Sequence, residues 1–324
     1  MKALTLLDAI NQALDQKMEE DKRIVVFGED AGFEGGVFRV TAGLQKKYGE
    51  DRVFDTPIAE SAIIGSAVGM AINGLIPIAE IQFDGFVFSG FSEVAAHLGR
   101  YRNRTRGGWT LPLVVRFPVG GGIRALEHHS ESLETFFGHI PGLKVVIPST
   151  PYDAKGLLVS AIEDPDPVIF MEPKRIYRAG RQEVPEELYR IPIGKAKVVK
   201  EGKDITVVAW GAMFREAEKA LQLLDKDIDV ELIDLRTISP LDEETIINSV
   251  KKTGRFLVVQ EAVKSFGPGA ELIALVNEKA FLHLEAQPTR VTGFDITVPL
   301  AKGEQYHFVS PERIAAEITK VVRF

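Results

Sequence analysis

Apolar positions along this chain change period repeatedly, and the changes mark its elements. Leu6, Ala9, Ile10, Ala13 and Leu14 recur at helical spacing behind Thr5, a residue suited to cap a helix. Ile24-Val25-Val26-Phe27 is apolar without a break, as in a strand buried on both faces. The small-residue run from Ser61 to Asn73 predicts a helix of about three turns, with glycines that let another backbone approach, as at an interface. Further strands are predicted at 75–83, 113–117, 144–147 and 168–171, and a helix is predicted from Pro151 with Thr150 as its cap. Periodicity fades between Lys174 and Lys203, where Arg, Glu, Pro and Gly dominate. Strands then resume at 205–209, 230–235, 256–260 and 290–292, separated by helical stretches. Strands alternating with helices predict an α/β fold with mainly parallel sheets covered on both faces. The expected division is residues 1–185, a linker at 186–203, and a second domain at 204–324.

Size and composition narrow the function. The 324 residues are 45% hydrophobic, enough for two domains with their own cores. Thirty-nine basic and 46 acidic residues leave a net charge of −7, which disfavours nucleic-acid and anionic-membrane partners. No apolar run approaches the ~18 residues of a membrane span, and Met1-Lys2-Ala3-Leu4 leads into an amphipathic pattern rather than a signal sequence. Cysteine is absent, which excludes disulfides, thiol catalysis and cysteine-bound zinc. It fits a reducing compartment, and a cytoplasmic location is the expectation.

Candidate chemistry gathers around Phe54-Asp55-Thr56-Pro57-Ile58-Ala59-Glu60. Glu60 stands between a polar loop and an apolar helix. A carboxylate there is partly desolvated and suited to proton transfer, or it simply favours the helix dipole. Gln82 lies at the carboxyl end of the predicted 75–83 strand, where open α/β sheets place ligands, and Phe86 comes just after it. His128-His129 lies on a loop behind Gly120-Gly121-Gly122. Adjacent histidines are poorly spaced for a metal and point to acid/base or substrate contact. Arg100, Arg102, Arg104 and Arg106 form either a basic docking patch or a solvated helix end. The second domain shows no cluster of reactive residues, and Gly267-Pro268-Gly269 is too short for a phosphate loop. That half reads as a packing and docking module.

The stretches FDTPIAE, PIAEIQF, HHSES, PGLKVVIPSTPYDAKGLL, VIFMEPKRIYR and DLRTISPLD occur in this order. Together they resemble the beta subunit of the heterotetrameric first component of 2-oxo acid dehydrogenases, essentially end to end. The resemblance implies a thiamine diphosphate (pyrimidine-binding) fold followed by a transketolase C-terminal-like domain. It implies that Glu60 bonds the aminopyrimidine ring of thiamine diphosphate and so favours the tautomer that activates the thiazolium carbon. That carbon attacks the 2-oxo group and accepts electrons as carbon dioxide leaves. Ile58, Gln82 and Phe86 match positions lining the pyrimidine pocket, and Phe86 stands where some relatives have tyrosine. His129 matches the histidine assigned to reductive acylation of the lipoyl group.

The magnesium-diphosphate motif of such enzymes, Gly-Asp-Gly with a downstream Asn, has no counterpart here, since Asp84-Gly85 is preceded by Phe83. The resemblance therefore implies half a site, completed by an alpha subunit that holds magnesium, in an α2β2 heterotetramer. It further implies a dihydrolipoyl acyltransferase partner with its lipoyl domain. Some relatives bind potassium at positions matching Leu113, Ala161, Asp164 and Asp166, the last being asparagine in many of them. Pyruvate and branched-chain substrates both stay open. Two other readings compete, a self-sufficient transketolase-like enzyme and a non-catalytic scaffold that docks an acyltransferase.

Overall fold

The computed structural model describes residues 1–324. Helix Leu6–Glu20 begins with a reciprocal cap. The Asp8 amide donates to the Thr5 hydroxyl (3.1 Å) and the Thr5 amide to the Asp8 carboxylate (3.2 Å). Helix Pro151–Glu163 also starts as its sequence predicts, with the Asp153 amide donating to Thr150 Oγ1 at 3.1 Å.

The first sheet has seven strands. Their spatial order is Thr237–Ser239, Lys144–Val146, Val168–Pro173, Val114–Val119, Ile76–Glu80, Ile24–Gly28 and Val53–Asp55. All neighbours run parallel except Thr237–Ser239, which is antiparallel to Lys144–Val146. The second sheet has the order Thr289–Val291, Phe256–Val259, Ile205–Ala209, Val230–Asp234 and Lys197–Lys200, with only the last antiparallel. Lys2–Leu4 pairs antiparallel with Gln182–Val184 in a small third sheet.

Successive strand residues feed opposite faces, so two cores form. Val26, Ile78, Val114 and Phe170 share one core with Val207, Phe214 and Leu257. Phe27, Ala79, Val115 and Met171 share the other with Val208, Trp210 and Val258. Each core runs through both halves of the chain. This is why the strands read as unbroken apolar runs.

Two departures from the sequence reading are structural. Residues 186–203 were expected to be linker, yet Lys197–Lys200 is the edge strand of the second sheet. Thr237–Ser239 leaves the second half and extends the first sheet. Both are short, and only partners distant in sequence make them strands. The helix end that carries the arginines is broken into Phe91–Ala96, a 3₁₀ turn Leu98–Arg100 and Tyr101–Arg104, with Arg106 beyond it.

Candidate active site

In the first sheet the chain leaves Ile24–Gly28 toward one edge and returns to Ile76–Glu80 on the other side. The crevice at such a reversal, outside the carboxyl ends of the strands, is where ligands settle in open α/β folds. Glu29 and Asp30 follow the first of these strands, and Gln82 follows the second. The Gln82 amide donates to Asp30 Oδ2 at 2.8 Å and bridges the crevice. Asp55 ends the neighbouring strand and accepts the Gly32 (2.6 Å) and Phe33 (3.0 Å) amides, which shapes the loop over it.

Glu60 is the first residue of helix Glu60–Ile72 and is buried. It therefore favours the helix dipole and also sits out of water. Ser89 holds it in place, donating to Glu60 Oε2 at 2.6 Å while lying 3.0 Å from the Phe86 carbonyl. Gly90 makes this approach possible, because a Cβ there would come within 3.0 Å of the Glu60 carbonyl.

The sequence reading passed over Glu29. It is only 3% exposed, and its Oε1 has no hydrogen-bond partner. Burial, with the charges of Glu60 and Asp30, pushes its carboxyl up to about 7. Its position after Gly28 at the end of a buried strand was the available signal. Its closeness to Glu60 depends on the edge strand Val53–Asp55, which the sequence showed only as a loop.

Phe86 and His129 are brought together. The His129 ring meets Phe83 edge-on at 4.3 Å and Phe86 at 5.1 Å between centroids. His129 Nδ1 has no partner, and burial, followed by the charges of Lys174 and His128, lowers the pKa of the imidazole. His128 is exposed, and its carbonyl packs on Gly85. Ile58 is 84% exposed.

The four residues matched to potassium ligands sit at the opposite, amino-terminal end of the strands. The Val168 amide donates to the Leu113 carbonyl (3.1 Å), and the Asp164 amide to the Ala161 carbonyl (3.4 Å). Asp164 accepts both the Lys144 ammonium (2.6 Å) and the Asp166 amide (2.9 Å). Asp166 pairs with Arg102 at 2.6 Å. Both carboxylates are thus already neutralised by side chains. No group of three or more His, Asp or Glu side chains in the chain is placed to hold a metal ion.

Two family models match the chain, "Transketolase, pyrimidine binding domain" over residues 2–180 and "Transketolase, C-terminal domain" over residues 194–314. The chain is 74% identical over 324 residues to the pyruvate dehydrogenase E1 component subunit beta of Acholeplasma laidlawii, covering 100% of this chain and 99% of that one. It is 55% identical over 318 residues to the protein of that name from Mycoplasma genitalium, covering 98% of each. The Bacillus subtilis counterpart is 50% identical over 325 residues, covering 100% of each. Among solved structures, "Split gene transketolase, inactive beta4 tetramer" superimposes with a TM-score of 0.80 at 22% identity, covering 99% of both chains. At that identity the likeness speaks for the fold.

Proposed function

Because the chain belongs to the family of beta subunits of the 2-oxo acid dehydrogenase first component, we propose that it forms half of a thiamine diphosphate site for oxidative decarboxylation of a 2-oxo acid. Pyruvate is the substrate favoured, since the relatives compared carry that name. The observation that carries the reading is the buried carboxyl pair Glu60 and Glu29 at the crevice of the first sheet.

The residues present fit the cofactor's aminopyrimidine end. Glu29 offers a buried oxygen with no partner, and Phe86 with His129 offers an aromatic wall. Bound thiamine diphosphate would supply the carbon nucleophile and the electron sink for decarboxylation. Glu60 holds or exchanges a proton at its carboxylate, fixed in direction by Ser89. Glu29, half-protonated near pH 7, limits the negative charge built up beside Glu60. Gln82 keeps the crevice edge in register through Asp30, and the exposed Ile58 offers an apolar side chain to the pyrimidine. His129, whose charged form is disfavoured by burial, meets the incoming lipoyl group during reductive acylation through a part of the ring other than its buried Nδ1.

Magnesium and the diphosphate fall to an alpha subunit, in an α2β2 heterotetramer that serves a dihydrolipoyl acyltransferase. Potassium at Leu113, Ala161, Asp164 and Asp166 belongs to the same reading and requires Lys144 to leave Asp164. A higher melting temperature in potassium than in sodium chloride at equal ionic strength checks that site. For the central assignment, Glu60→Gln in the reconstituted tetramer should fold normally and lose roughly 10²-fold or more of decarboxylation. Near-wild-type turnover would remove Glu60 from its role.

A further inference from the structure

The second half of the chain has no reactive cluster of its own, yet two of its carboxylates reach the loop that carries His129. The Gly121 amide donates to Glu261 Oε1 at 2.7 Å. The Gly122 amide donates to Glu304 Oε1 at 2.8 Å, and the Arg124 amide to Glu304 Oε2 at 3.1 Å. Glu304 is buried, as is Lys174, whose ammonium donates to the Gly120 carbonyl. The Gly120 amide donates to the Glu131 carbonyl at 2.7 Å and closes the neck of the loop.

The glycine triplet is shaped by this approach. Gly120 (φ 77°), Gly122 (φ 99°) and Arg124 (φ 57°) take left-handed backbone conformations that turn successive amides toward the second domain. A Cβ on Gly120 would lie 2.8 Å from the Glu261 carboxylate, and one on Gly121 would lie 2.5 Å from the Phe308 ring. Between the clamp and His129 the side chains of Ile123, Leu126 and His128 are exposed, and the loop is next held where the His128 backbone packs on Gly85 and the His129 ring on Phe83 and Phe86. Carboxylate acceptors make such bonds shorter and roughly twice as strong as neutral ones.

We propose that Glu261 and Glu304 are positioning residues that clamp the Gly120–Gly122 turn and thereby set the place of His129 from the second domain. The proposal deepens the reading given above and rests on the role of His129 in reductive acylation. It makes the second domain part of the site. A loop released by about 1 Å is enough to cost a reaction up to ~10²-fold when geometry carries it.

The test uses the tetramer reconstituted with an alpha subunit, with lipoyl acylation and decarboxylation to an artificial acceptor measured on the same preparations. Glu304→Ala and Glu261→Ala should each lower acylation roughly 10-fold more than the artificial-acceptor rate, within the range expected for misplacement. Glu261→Gln keeps the one acceptor that Gly121 uses and should restore most of the acylation. Glu304→Gln keeps one acceptor of two and should fall between. Hydrogen exchange at Gly121, Gly122 and Arg124 supplies a readout independent of activity and should quicken in both alanine variants. Equal losses in the two assays, or unchanged exchange at those amides, would overturn the clamp. His129→Ala run alongside separates the two ideas. If it leaves acylation intact, the role of His129 fails, while the exchange data still judge the clamp.

Discussion

At Glu29 a carboxyl gives up water without gaining a partner for Oε1, and that imbalance sets its titration. Its folded pKa of about 7 lies above its ordinary value of 4.5, so folding favours the protonated form. The favourable contribution is complete below pH 4.5 and is lost as pH rises through about 7. Glu29→Gln mimics the protonated form. It should melt with the wild type near pH 4.5, and its advantage should grow up to about pH 7 and then level off. A melting-temperature gap that shrinks as pH rises would contradict this. At His129 the same cause acts in the opposite direction, since burial disfavours the charge of a base and lowers its pKa. His129→Ala should harm lipoyl acylation more than turnover with an artificial acceptor. Equal losses would place His129 in decarboxylation itself.

Among the elements, the short 3₁₀ segment Asp84–Gly90 does most to assemble the site. It carries Phe86, supplies Ser89 to Glu60, and ends in Gly90 against helix Glu60–Ile72. Gly85 within it touches the His128 backbone, and an added Cβ would lie 2.3 Å from that carbonyl. Gly85→Ala should therefore push the histidine loop away and cost about 1–3 kcal/mol, the usual range for overpacking, read from denaturant unfolding. Unchanged stability would show that the loop yields freely. Local rules made several elements legible in advance. The caps at Thr5 and Thr150 need only residues within one turn, and the helix at Glu60 needs only its own apolar run. Val53–Asp55 and Thr237–Ser239 were not legible, because each is three residues long and gains its partner from far along the chain. Missing the first hid the approach of Glu29 to Glu60. The glycine triplet was visible as a motif, but Glu261 and Glu304, more than 130 residues away, were not connected to it.

On the scale of the whole molecule, the two halves close on one another by more than apolar contact. Arg236 pairs with Asp153, Ser149 donates to Asp234 at 2.8 Å, and Trp210 donates to Glu134 at 3.2 Å. The closed body ties Glu60 to the Phe86 backbone through Ser89 and sets the Phe86 ring against His129, and no group of three or more His, Asp or Glu side chains gathers in it. A diphosphate carries two to three negative charges, as a rough figure, and needs magnesium or several positive groups to be held. The isolated chain should accordingly bind thiamine diphosphate weakly even with magnesium, and tight binding should appear when an alpha subunit carrying Gly-Asp-Gly joins it. Isothermal titration of the chain with magnesium and thiamine diphosphate, without and then with that partner, tests the half-site account most directly. The account predicts no tight binding alone and clear binding in the tetramer. A dissociation constant at or below about 1 μM for the chain by itself, some −8 kcal/mol, would contradict it.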